Sequence, residues 1–165
     1  MLRYFTVITN LFVALLFTAS ALDNTAIASP RRLAGVTLAI LLVGVLFHLL
    51  LRGMVQLSGG ARLADTLNHS VTPLLCVLYW LVLAPKGHLR RSDPLIWSVY
   101  PLVYLIYGMV RGWLEGAYAY PFLDLGKLGW LEVLETSGVI AAGFVVTGFG
   151  MVWLDGWVAG QAGGE

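Results

Sequence analysis

Five apolar runs, near residues 4–22, 33–51, 66–84, 94–114 and 132–154, constrain this chain more than any motif in it. Runs of about 18 or more apolar residues read as membrane-crossing helices. In hydrocarbon a backbone must satisfy its own hydrogen bonds, so only helices or closed barrels cross. The alternation that marks barrel strands is not seen. Of 165 residues, 59% are hydrophobic and 12% charged, too little charge to cover a water-soluble surface of that size. The expected architecture is therefore all-α: a single polytopic transmembrane helical bundle of five spans over 1–155, with a flexible tail at 156–165. An Arg3-led apolar run ending in Ala19-Ser20-Ala21 resembles a secretory signal. Thr6, Thr9 and Asn10 are polar for such a core, so a retained first span is expected.

Several function classes fall away. Cys76 is the single cysteine, so neither a disulfide framework nor a cysteine metal site can be built. The formal charge of +1 gives no basic surface for nucleic acid. His48 and His69, without a placed carboxylate, are too few for a metal. No cofactor is expected.

The polar residues inside the runs carry the remaining information. In the first, Thr6, Thr9 and Asn10 lie three and four apart and share a helix face. Such groups often join membrane helices to their neighbours. The second run is aliphatic until His48, with Arg52 one turn on, free to snorkel. The third, TLNHSVTPLLCVLYWLVLA, holds Asn68 and His69 near its start and Pro73 as a kink. His69, Thr72, Cys76 and Tyr79 make a mildly polar stripe. An ionisable residue at the edge of a span is costly and so a functional candidate, although a structural histidine bonded to a carbonyl is the plainer reading. The fourth run puts Tyr100, Tyr104, Tyr107 and Arg111 on one face. The fifth opens with Glu132 and Glu135 and offers Gly138 and Ala142 for close helix packing.

Alternating crossings gather these groups. The start of the first, third and fifth spans and the end of the second and fourth share one side. That side holds Thr6, Thr9, Asn10, His48, Arg52, His69, Arg111, Glu115, Asp124, Glu132 and Glu135. Three residues into its span at about 1.5 Å each, His69 lies a few ångströms below the interface. Lys and Arg divide five against five between the sides. Arg31, Arg32, Lys86, Arg90 and Arg91 sit in the tighter loops, which makes theirs the expected cytoplasmic side.

RYFTVITN at 3–10, LNHSVTP at 67–73, VYPLVYLIYGMVRG at 99–112 and YAYPFLD at 118–124 together resemble the androgen-induced-gene, FAR-type membrane proteins. They look closest to the bacterial, predicted six-transmembrane branch, over about residues 3–155. The resemblance implies an integral protein of the bacterial plasma membrane that hydrolyses fatty-acid esters with an intramembrane threonine and histidine. Thr6, after Arg3-Tyr4-Phe5, matches the threonine best, with Thr9 as the other register. His69, in an Asn-His segment before a proline, matches the histidine. Two departures stand: the family segment has a second histidine, and the family has six spans where five are expected here, its first being either lost or ahead of the start site at Met1.

On this reading Thr6 is the nucleophile and His69 the base that activates it. Asn10, Asn68 or Arg111 would supply oxyanion donors, and Glu115, Asp124 or Glu135 would orient the histidine. Membrane lipid or a fatty-acid ester is the expected partner. The alternative is a non-catalytic lipid- or ion-binding bundle or a small transporter.

Overall fold

The computed structural model describes residues 3–162. α1 (Phe5–Ala21) comes first. α2 (Pro30–Leu46) starts where Ser29 accepts the Arg32 N–H and Pro30 fills the first helical position, which needs no donor. α2 then widens into a π turn at Phe47–Leu51. α3 (Gly59–Thr66), a second π turn at Leu67–Val71 and α4 (Thr72–Val82) form one continuous rod. α5 (Asp93–Glu115) and α6 (Leu125–Ala162) complete the chain, with a single 3-10 turn at Pro121–Leu123 between them. Gly129 interrupts α6 at φ 78°, ψ 172°. That conformation is essentially restricted to glycine, and it sets the first turn of α6 off from the long helix after it.

Among the described residues the fold is all helix, in five rods. Three of them, Pro30–Leu51, Asp93–Glu115 and Leu125–Gln161, are long and apolar enough to cross a membrane. α1 is a shorter apolar helix of 17 residues. The remaining rod begins at Gly59 rather than near 66, so it takes in Arg62 and Asp65. α6 is also longer than expected, starting at Leu125 and running through the region expected as a loose tail. Asp155 explains part of this: it is 1% exposed and accepts the Leu89 N–H at 2.9 Å. The last residues of the expected tail, 163–165, lie outside the described residues.

α2 is the central staff. Past Arg31 and Arg32 it is apolar on every face, as suits the most buried of the long helices, and it packs against α1, α4, α5 and α6. Ile40, Val43, Phe5, Cys76 and Tyr104 form the core toward one end, and Leu38, Trp80, Phe144 and Met151 the core toward the other. Gly44 allows a close approach of α2 to the rod that carries His69 and Pro73. A Cβ there would stand 3.1 Å from Pro73 and 3.2 Å from the carbonyl of His69. The small-residue contact expected at Gly138 and Ala142 is not made, since both face outward. Phe144, Gly148, Met151 and Asp155 present the packed stripe of α6, with Gly148 against Pro94.

The end of the bundle that holds the start of α2 is fixed by ions. Asp93, 1% exposed, accepts the Arg31 guanidinium and the Arg90 N–H, the latter at 2.9 Å. Lys86 donates to the carbonyls of Trp80 and Ala84 at the end of α4, and burial lowers its ammonium from the ordinary lysine value. Asp93→Ala is expected to cost about 2–3 kcal/mol. That is below the figure for a fully buried pair, because the Arg31 side chain is 35% exposed and can rehydrate. Thermal unfolding in detergent should show a Tm several degrees lower.

Candidate active site

The site begins with a missing donor. Residue 73 is proline, so the carbonyl of His69 has no N–H one α-helical turn ahead. The chain answers with the π turn Leu67–Val71, in which the Thr72 N–H reaches back to Leu67. Such widened turns are frequent at functional sites. The π turn ending α2 lies at the same level, with the Arg52 N–H reaching Phe47 at 2.7 Å. Phe47 from that turn stacks on the His69 ring, 4.2 Å between centroids and 14° from parallel.

Held this way, His69 points its Nε2 at the Thr6 hydroxyl, 3.3 Å away. Its Nδ1 faces two acceptors, the Asp65 carbonyl oxygen and Asp65 Oδ1, both at 3.0 Å. Nδ1 therefore carries the proton, and Nε2 is left with a lone pair toward Thr6. Hydroxyl, imidazole and carboxylate stand in series. The Thr6–His69 separation is slightly long for a base and nucleophile, as is common before substrate binds. The side chains of His69 and Asp65 are 16% and 26% exposed, shallow enough for water to reach.

Two features flank Thr6. The Tyr120 hydroxyl faces the Thr6 side chain and the backbone N–H groups of Phe5 and Thr6. Those two groups are in the first turn of α1, where no intrahelical acceptor exists. Burial pushes the Tyr120 phenol above its ordinary value, so at neutral pH it keeps its proton and can donate. Beside them lies a cavity of about 210 Å³, lined by Phe5, Thr6, Leu46, Leu102, Tyr120 and Phe144 among others. Its walls are almost wholly apolar, suited to an alkyl chain rather than to ordered water.

The other expected residues are placed differently. Asn10 donates to the Thr6 carbonyl at 2.9 Å, a bond within α1 that uses one of its two amide N–H groups. Asn68 is half-buried, and no hydrogen bond links it to Thr6 or His69. Arg111 donates to Glu115 and to the Tyr107 hydroxyl at the rim, 2.5 and 2.6 Å away. Asp124 accepts the Gly126 N–H at 3.1 Å and pairs with Lys127, so it caps α6. Glu115 also pairs with Arg3, and Glu135 is exposed; neither orients His69. Thr9, fully buried, donates to the Phe5 carbonyl and meets the Tyr100 hydroxyl, both at 2.8 Å. With its proton committed there, Thr9 is a structural residue. His48 donates from Nδ1 to the Gly44 carbonyl at 2.8 Å, and its Nε2 faces Ser70 at 3.4 Å.

Asp65 and Tyr120 are the residues that sequence reasoning missed. Asp65 lies just outside the apolar run at 66–84, and the Asp65–His69 spacing of four has a direction only because the helix starts earlier, at Gly59. Among the described residues no cluster of three histidine, cysteine or carboxylate groups could hold a metal. No family model, no curated protein and no solved structure matches this chain.

The tautomer is open to direct measurement. In ¹⁵N-histidine-labelled protein, neutral His69 is expected to show a protonated Nδ1 and an unprotonated Nε2, with Asp65→Ala shifting the population toward the other tautomer. A protonated Nε2 in the unmodified chain would contradict the arrangement.

Proposed function

We propose that this chain is a multi-pass integral membrane protein of the bacterial plasma membrane that hydrolyses fatty-acid esters of lipids. Its three long apolar helices support the membrane placement. The resemblance of residues 3–155 to the androgen-induced family supports the bacterial setting and the substrate class. One observation carries the chemistry: the Thr6 hydroxyl, His69 imidazole and Asp65 carboxylate in series, opening on an apolar cavity.

In this reading the ester's acyl chain occupies the cavity and its carbonyl carbon meets Thr6 Oγ1. His69 Nε2 takes the Thr6 proton as Oγ1 attacks, and Asp65 steadies the imidazolium that forms. Negative charge gathers on the former carbonyl oxygen, within reach of the Phe5 and Thr6 N–H groups and the Tyr120 hydroxyl. When the intermediate collapses, the ester C–O bond breaks and the leaving alkoxide takes the proton back from His69. His69 then takes a proton from water as that water attacks the acyl-threonine; the acyl–Oγ1 bond breaks, Thr6 Oγ1 takes the proton back from His69, and the fatty acid leaves. Thr6 is in the first turn of α1, so by the rise of about 1.5 Å per residue the reaction lies within a few ångströms of the helix end. Lipid ester linkages and water both lie at that depth.

Thr6→Ala and His69→Ala should each lower ester turnover by about 10³-fold or more, and Thr6→Ser should retain activity. Asp65→Ala should cost less, on the order of 10–100-fold, because the Asp65 carbonyl still holds Nδ1. Hydrolysis of a medium-chain p-nitrophenyl ester by purified protein is the assay. Full activity in the Thr6→Ala/His69→Ala double variant rejects the proposal. Retention of lipid without turnover by the unmodified protein supports a lipid-binding bundle instead.

A further inference from the structure

A second groove lies toward the opposite end of the bundle, between α1, α2 and α5, with a volume of about 630 Å³. That is the size range of small-ligand sites, about 300–1,000 Å³. Its walls are apolar and outward-facing: Phe12 is 39% exposed, Leu15 57% and Ile96 56%. Its inner end stops at Tyr100, and its mouth is lined by Ser29, Arg31, Arg32 and Asp93.

The charges at the mouth are unequal. Arg31 and Asp93 satisfy each other. Arg32 is exposed, donates only to the carbonyls of Ala26 and Ile27, and pairs with no carboxylate among the described residues. Arg90 is held beside Asp93 by its N–H bond to that carboxylate. Among the described residues this end of the bundle carries Arg31, Arg32, Lys86, Arg90 and Arg91 against Asp23, Asp93 and Asp155, so its positive groups outnumber its carboxylates. An apolar channel open to the side with unpaired guanidinium at its interfacial end complements an amphiphile with an anionic head.

We propose that this groove binds one anionic phospholipid, its phosphate on Arg32 and one acyl chain along Leu15, Val36 and Ile96. The inference uses the membrane placement proposed above and none of the hydrolase chemistry. The groove and Thr6 are at different ends of α1, so a Thr6→Ala chain should bind the lipid as the unmodified one does.

Native mass spectrometry of the purified full chain in detergent, titrated with phosphatidylglycerol and with phosphatidylcholine of the same acyl chains, reads the proposal. Phosphatidylglycerol should be retained several-fold more tightly. Arg32→Gln should bring it down to the phosphatidylcholine level, and Ile96→Trp, which fills the channel, should weaken both. Both positions are exposed, so the variants should fold, and unchanged Tm values check this. Lys127→Gln, at the far end, should change nothing. Equal retention of the two lipids overturns the proposal, as does undiminished phosphatidylglycerol binding by Arg32→Gln. So does an Ile96→Trp variant that alters the oligomeric state but leaves lipid retention intact, since a second copy of the chain would then be the occupant.

Discussion

The site depends on how an apolar helix copes with one absent backbone donor. Proline at 73 leaves the His69 carbonyl without its usual partner, and in surroundings this apolar an unsatisfied carbonyl is costly. The widened turn at Leu67–Val71 is the local adjustment, and α2 lies flush against it because residue 44 has no side chain. The same turn changes the register between the two halves of the rod. Asp65 lies on the early half and Cys76, deep in the core, on the later one. His69 sits in the turn itself, where Thr6, Asp65 and Phe47 all reach it. A backbone constraint, a close helix approach and an imidazole's orientation are thus one arrangement.

The two ends of the bundle use polarity differently. At the start of α2 the buried groups tie the chain to itself: Asp93 to Arg31 and the Arg90 N–H, Asp155 through Oδ2 to the Leu89 N–H, Lys86 to the end of α4. These bonds lock loops to helix ends. At the start of α1 a neutral imidazole nitrogen, a hydroxyl and a phenol face one another beside an apolar space. A base, a hydroxyl and a donor grouped next to a cavity are what chemistry requires, and bonds that tie loops to helix ends are what stability requires.

The all-helical class was legible in the sequence because apolar run length and low charge leave little else. Crossing parity placed Thr6 and His69 at one end of the bundle, and the structure has them 3.3 Å apart. Details that depend on departures from ideal helix geometry were not legible. A stripe drawn at regular spacing through His69, Thr72, Cys76 and Tyr79 ignores the π turn that breaks it. Asp65 is not marked as a partner by the apolar run, which begins after it, whereas the helix begins at Gly59. Asn10 and Arg111 were named for their donors, but the sequence does not show that each finds a nearer acceptor along its own helix. Gly138 and Ala142 fit a packing motif, yet the buried face of α6 is set by Phe144, Gly148 and Met151, and a motif does not say which face turns inward.

The central claim is that the Thr6 hydroxyl is made nucleophilic by His69. Covalent labelling of the purified protein with a fluorophosphonate, followed by peptide mapping, addresses it without assuming a substrate. The expected result is a single adduct on Thr6 whose formation is lost in His69→Ala. An adduct on another residue, or labelling of Thr6 at an unchanged rate when His69 is replaced, would contradict it.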